Sequence, residues 1–211
     1  MTNSMDDTNL LQNNKLGITD YLELAREEER LSKLRAIELW DKQILDTFEI
    51  GTFAGLSAIH GYLFQDVYNF AGQVRNSNIA KGNFPFAPVR YLAMTLEDVS
   101  RMPQKSYEEI IKKYVEMNVA HPFREGNGRA TRIWLDAILR QELQVVVDWA
   151  RVDKKAYLSA MERSPVNDLE IRTLLQGALT KDIHDRTVFM KGLDASYFYE
   201  GYTAYPAETL V

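Results

Sequence analysis

His121-Pro122-Phe123-Arg124-Glu125-Gly126-Asn127-Gly128-Arg129-Ala130-Thr131-Arg132 is the stretch that decides how this chain is read. Just upstream, Ser106-Tyr107-Glu108-Glu109 has capping-box spacing, in which Ser and Glu side chains satisfy exposed N–H groups at a helix start. Ile110, Ile111, Tyr114, Val115 and Asn118 then share one broad helical face. Proline disfavours helical geometry in the residue before it, so Pro122 stops this helix at His121. His121 is thereby tethered by a buried helix and exposed on its other side. Phe123 reads as an anchor into the core. A second helix starts near Asn127 and buries Ile133, Trp134, Leu135 and Ile138.

The joint carries residues suited to a phosphate ester. A Gly126-Asn127-Gly128 turn opening a helix presents backbone N–H groups to an anion. Glu125 is the residue type that holds a hard divalent cation. Arg129 and Arg132, three apart, are neighbours on a helix surface and can grip phosphate oxygens. His121 can accept a proton near neutral pH.

Working outward, Thr19 is the expected cap of a helix through Leu22, Leu31, Leu34, Ile37 and Trp40, with Arg26-Glu27-Glu28-Glu29-Arg30 on a solvated face. Leu56, Ile59, Leu63 and Val67 form a further helical stripe ending near Gly72. His60 within it reads as a packing histidine. Between Asn78 and Phe86 the helical pattern breaks. Ile79, Phe84 and Phe86 flank Lys81-Gly82-Asn83, the pattern of a short β-hairpin. Helical text resumes at 154–161, 168–179 and 183–199.

Composition narrows the classes. The 211 residues carry a net charge of −5, which argues against direct nucleic-acid binding. Positive charge gathers at Arg124, Arg129, Arg132 and Arg140, and a small basic pocket in an acidic body suits a nucleotide. There is no cysteine, so thiol chemistry and disulfides are excluded. No apolar run is long enough for a membrane span. The polar, acidic start predicts no secretory leader. A cytoplasmic location is the resulting expectation.

Taken together, the motif residues match the pattern His-x-Phe-x-(Asp/Glu)-Gly-Asn-Gly-Arg-x-x-Arg, and the segment resembles the signature of the Fic family of protein adenylyltransferases. The resemblance extends over roughly 50–201. It implies an all-α, Fic-type helical bundle with a small β-hairpin flap, and AMP transfer from ATP, with Mg²⁺, to a Tyr, Thr or Ser hydroxyl of a protein. It implies His121 as the base, the backbone of Gly126, Asn127 and Gly128 around the developing charge, and Asn127 as a polar contact to the phosphate chain. Glu125 would hold the metal, and Arg129 and Arg132 the outer phosphates. The flap would align an extended target segment by strand pairing, with Lys81 near the nucleotide phosphate. Ser196-Tyr197-Phe198-Tyr199-Glu200-Gly201 matches the family's inhibitory motif Ser/Thr-x-x-x-Glu-Gly/Asn, placed after the core as in one bacterial class, with Glu200 directed at Arg132. Gly201 reads independently as the glycine just past a helix end. Tyr157 and 161–167 are candidates for the adenine pocket, and Tyr197 for self-modification.

The expected organisation is a flexible lead (1–18), a helical extension (19–49), a catalytic core (50–180) with its flap near 78–86, and an inhibitory helix and tail (181–211). The resemblance suggests type II topoisomerase subunits as targets, and a homo-oligomer is compatible with the sequence. Two other activities fit the same residues: hydrolysis of an AMP–protein bond, or a catalytically idle nucleotide-binding regulatory module. Retention of His121 and both arginines speaks against the idle module.

Overall fold

The computed structural model describes residues 10–81 and 84–210, without the side chain of Lys81. The expected turn residues Gly82 and Asn83, and the phosphate contact expected of Lys81, lie outside what is described. Helix α1 (Tyr21–Asp41) packs along α2 (Phe53–Phe64). Strands β1 (Ala80–Lys81) and β2 (Phe84–Pro85) pair antiparallel, Ala80 opposite Pro85. Helices α3 (Val89–Arg101), α4 (Tyr107–Ala120) and α5 (Asn127–Leu143) follow. Then come β3 (Val146–Val147), α6 (Lys154–Arg163), α7 (Leu169–Gln176), β4 (Leu179–Thr180) and α8 (Arg186–Glu200). The fold is all-α with a small hairpin, as the sequence predicts, and carries a second strand pair, β3–β4, that it does not. No helix among the described residues is long and apolar enough to cross a membrane.

The core is built where the stripes place it. Leu56, Ile59, Leu63 and Val67 are all fully buried, as are Trp134, Leu135 and Ile138, and Phe123 is enclosed among them. The capping box of Ser106 and Glu109 forms in full. Gly201 adopts φ 98° just past α8, a left-handed conformation that glycine takes without the cost a Cβ imposes.

Four expectations are corrected. Asp20, not Thr19, caps α1, its carboxylate accepting from Glu23 N–H at 2.9 Å. The charged run is no solvated face: Glu28 and Glu29 are 2% and 1% exposed while Leu22 is 69% exposed. Each buried charge has a partner, which is what permits its burial. Lys33 reaches Glu29 at 3.0 Å and Asp194 at 2.8 Å, and Glu29 accepts from the backbone of Ala204 and Tyr205. Thus α1 carries the chain that follows α8. Residues 10–18 are not a loose lead either, because Lys15 N–H donates to Val67 at 2.8 Å and Asn69 N–H to Asn13 at 3.0 Å. Finally, α7 stops at Gln176 with Gly177 at its end, and Leu179 turns into a strand opposite Val147.

Candidate active site

The motif is the joint between α4 and α5. His121 closes α4 in the left-handed region, φ 47° and ψ 63°, so the chain turns abruptly there. Gly126 opens α5 at φ 77°, and a Cβ on it would lie 2.4 Å from the Phe64 ring; only glycine fits both demands. The N-cap residue of α5, Gly126, has no side chain with which to cap it, so the first N–H groups of the helix are not satisfied from the N-cap position. These groups and the helix dipole make the positive end of α5 an anion cradle.

The imidazole of His121 stacks face-on with the Phe86 ring, centroids 3.7 Å apart and planes 13° from parallel. Its Nδ1 lies 3.3 Å from the carbonyl oxygen of Asn118. A carbonyl only accepts, so Nδ1 carries the proton and Nε2 keeps the lone pair a general base needs.

His60 is a packing histidine with a second task. It is fully buried, Nδ1 accepts from Gly72 N–H at 2.9 Å and Nε2 donates to the Glu125 carbonyl at 2.8 Å. Burial holds its pKa down at about 3, so it stays neutral and fixes the motif loop from below.

Two motif residues and one adenine-pocket candidate sit otherwise than their sequence roles suggest. Asn127 is 4% exposed, and its amide accepts from Phe123 N–H and donates to Phe123 C=O, both at 2.8 Å. Its side chain therefore staples the loop, which leaves its backbone to face an anion. Arg129 is 1% exposed and is bound by Glu28 and, at 2.9 Å, by Glu125. Phe64, Tyr197 and Tyr202 present their rings to it. This guanidinium braces α1 against the motif rather than reaching toward an outer phosphate. Arg129 and Arg132 start from neighbouring positions but are drawn to different partners. Tyr157, a candidate for the adenine pocket, is 3% exposed, shares a hydrogen bond with the Tyr114 hydroxyl and stacks on Tyr199. It belongs to the core behind Arg132.

Arg132, Ser196 and Glu200 come together. The Arg132 Nε donates to Ser196 Oγ at 2.7 Å, and one terminal nitrogen donates both to the Ser196 carbonyl at 2.9 Å and to Glu200 Oε1 at 2.7 Å. Burial works against this charge, but the Tyr157 hydroxyl and the Glu200 carboxylate outweigh it and hold the guanidinium above its ordinary pKa. A Cβ added to Gly128 would lie 2.2 Å from Glu200 Oε1, so the carboxylate rests on the first turn of α5. Glu200 is the last residue of α8, where its own helix dipole disfavours an anion. The positive end of α5 and Arg132 offset that.

Glu125 keeps 33% of its side-chain surface, enough to meet a cation from the open side. The surrounding protein still lifts its pKa, against the pull of Arg129. Among the described residues no group of three or more His, Cys, Asp or Glu clusters as a metal cage. Tyr197 is fully enclosed, its hydroxyl donating to Ser32 at 2.7 Å. It cannot meet a reactive phosphate while α8 is seated.

This geometry coincides with a family match. The model of the Fic/DOC family matches residues 52–139. The probable protein adenylyltransferase y4lH of Sinorhizobium fredii (strain NBRC 101917 / NGR234) is 32% identical over 179 residues, covering 77% of this chain and 90% of the relative. The chain belongs to the Fic/DOC family. The protein adenylyltransferase VbhT of Bartonella schoenbuchensis is 31% identical over 77% of this chain, which spans 35% of that longer protein. Among solved structures, the BepC protein of Bartonella tribocorum with bound AMPPNP superimposes with a TM-score of 0.64 at 22% identity, over 79% of this chain and 91% of that one. At that identity the likeness is one of fold. Residues 121–132, the joint described above, fall inside the Fic match.

Sequence reasoning missed Glu28, Arg75 and Phe86. Glu28 is hidden in a run of charges and Arg75 is a lone cation after a turn, so neither carries a local signal. Phe86 sits in the expected hairpin, but its stacking on His121 depends on the fold.

Proposed function

We propose that this Fic protein is an adenylyltransferase that moves AMP from ATP onto a Tyr, Thr or Ser hydroxyl of a target protein, and that Glu200 restrains it. The class of activity rests on the family and on relatives named protein adenylyltransferase. The restraint rests on one observation: the Glu200 carboxylate lies on Arg132 at 2.7 Å, at the first turn of α5.

In the reaction His121 Nε2 takes the hydroxyl proton as the target oxygen attacks the α-phosphorus. The bond from that phosphorus to the bridging oxygen of the pyrophosphate breaks, and pyrophosphate leaves. The N–H groups of the first turn of α5 stabilise charge on the α-phosphate oxygens, a preorganised effect worth roughly 3–4 kcal/mol per donor at comparable sites. Arg132 orients the outer phosphates once Glu200 has moved. Glu125 fits a Mg²⁺ ion, which commonly takes one carboxylate, several waters and substrate phosphates. Bound there, the ion would neutralise phosphate charge.

The target is met at the flap, and the family resemblance suggests type II topoisomerase subunits in the cytoplasm. Self-modification at Tyr197 belongs to a state in which α8 has left Arg132. Incubating the protein and a lysate with ATP labelled at the α- or γ-phosphate tests the activity. Label transferred to protein only from the α-position is expected; transfer from the γ-position would refute AMP transfer.

A further inference from the structure

One buried guanidinium ties the end of α4 to the root of the flap. Arg75 is 4% exposed. Its Nε donates to the His121 carbonyl at 2.8 Å and one terminal nitrogen to Ser77 at 2.7 Å. The other terminal nitrogen donates to the Ala87 and Ala120 carbonyls. The Arg75 backbone N–H donates to the Pro122 carbonyl at 2.8 Å. None of these partners is a carboxylate, so a buried cation is balanced only by carbonyl dipoles. Such an arrangement is costly and holds when those carbonyls must stay in one place.

The held residue is under strain. His121 has positive φ, which costs a non-glycine residue on the order of 1 kcal/mol and persists where the surroundings over-determine it. Arg75 grips the carbonyls on both sides of the His121 nitrogen and, through Ser77 and Ala87, both arms of the flap. The flap returns a second hold through the Phe86 ring. Phe86 is itself fixed, its N–H donating to Ile79 at 3.2 Å and its ring meeting Phe84 edge-on at 5.6 Å. A further hold runs from Nδ1 to the Asn118 carbonyl, at 3.3 Å the long end of the hydrogen-bond range.

We propose that Arg75 and Phe86 are positioning residues for His121: Arg75 fixes its left-handed backbone, and Phe86 fixes the plane of its imidazole, so that Nε2 points to the reacting hydroxyl. The kinetic side of this inference rests on His121 being the base; the structural side does not.

The chain has three histidines, so the imidazole of His121 is resolvable by NMR in protein carrying labelled histidine. The variants are Arg75→Lys, Phe86→Leu and Phe86→Tyr, each combined with Glu200→Gly. The ring current of Phe86 should shift the His121 Cε1 proton upfield. Phe86→Leu should abolish that shift, Phe86→Tyr should keep it, and Arg75→Lys should move or split the signal. In AMP transfer, Arg75→Lys and Phe86→Leu should lower kcat about 10–100-fold, the cost of a misplaced reacting group. KM for ATP should stay within about threefold, and Phe86→Tyr should regain the parent kcat. Unchanged imidazole signals in folded Phe86→Leu and Arg75→Lys would overturn the inference. So would a fall in kcat and thermal midpoint together with a rise in KM, the pattern of a merely structural role. If the signals move as described but no protein, parent included, transfers AMP, the positioning stands and the proposed activity fails.

Discussion

Glu28→Gln should destabilise this protein more than any surface substitution on α1, and the structure gives the size. The Glu28 carboxylate accepts from Arg129, from the Tyr68 hydroxyl and, at 3.2 Å, from the Tyr202 hydroxyl. Glu28 and Arg129 are 2% and 1% exposed, and Arg129 Nε has no hydrogen-bond partner among the described residues. Removing one member of such a buried pair typically costs 3–5 kcal/mol, because the other charge stays buried. Glutamine keeps the volume and one acceptor, and Glu125 still faces Arg129 at 2.9 Å, so the low end, about 3 kcal/mol, applies. For a chain of this size each kcal/mol moves the thermal midpoint by roughly 2–4 °C, so a fall of about 6–12 °C is expected. Calorimetry on wild type and Glu28→Gln measures it. Glu27→Gln is the control, since the Glu27–Arg30 pair is about one-third exposed and should move the midpoint by under about 2 °C. If Glu28→Gln also shifts by less than about 2 °C, the buried-brace reading of Arg129 is wrong.

Three further outcomes follow from the site. His121→Ala should lower AMP transfer about 10²–10⁴-fold in a Glu200→Gly background while calorimetric ATP binding persists; near-parent activity would remove His121 as the base. Arg132→Ala should not release activity, although it frees Glu200, because the outer phosphates lose their grip; a strongly activated variant would contradict the double role. Asp136 accepts from Val147 N–H and Trp149 Nε1 inside a cavity beneath α8, and burial pushes its pKa up to about 7. A carboxyl raised on folding binds its proton more tightly in the folded state, so its contribution to stability is largest below the unfolded value of about 4 and declines up to about pH 7. Asp136→Asn should remove a decline on the order of 4 kcal/mol over that window, about 1.4 kcal/mol for each unit of pKa difference, read by urea unfolding at each pH.

The fold was legible where burial follows periodicity. The stripe of Leu56, Ile59 and Leu63, the Ser106 capping box and the Pro122 stop each act through neighbours in sequence, and each was realised, although the helix ends at Phe64 rather than near Gly72 and leaves Val67 buried in the turn beyond it. The α1 face was misread because hydropathy assigns Glu28, Glu29 and Lys33 to water. Only their partners on α5, on α8 and in the chain beyond it make burial favourable, and these lie up to 176 residues away. The β3–β4 pair was missed for the same reason, since two-residue strands carry no local period. In the site, the motif gave the residues of the joint but not the division of labour between Arg129 and Arg132. That division depends on Glu28 and Glu200, which approach α5 from opposite ends of the chain.

AMP incorporation by wild type and by Glu200→Gly, at equal concentration with ATP and Mg²⁺, tests the central claim most directly. Glu200 competes with the outer phosphates for Arg132, and a restraint of about 1.4–2.8 kcal/mol corresponds to roughly a 10–100-fold gain on its removal. The variant should remain folded, because Ser196 still holds Arg132 through two hydrogen bonds at 2.7 and 2.9 Å. The account predicts label from α-labelled ATP on protein, strongly raised in Glu200→Gly and lost when His121→Ala is added. Equal, low incorporation by wild type and a folded Glu200→Gly variant, across lysates of several bacteria, would contradict it.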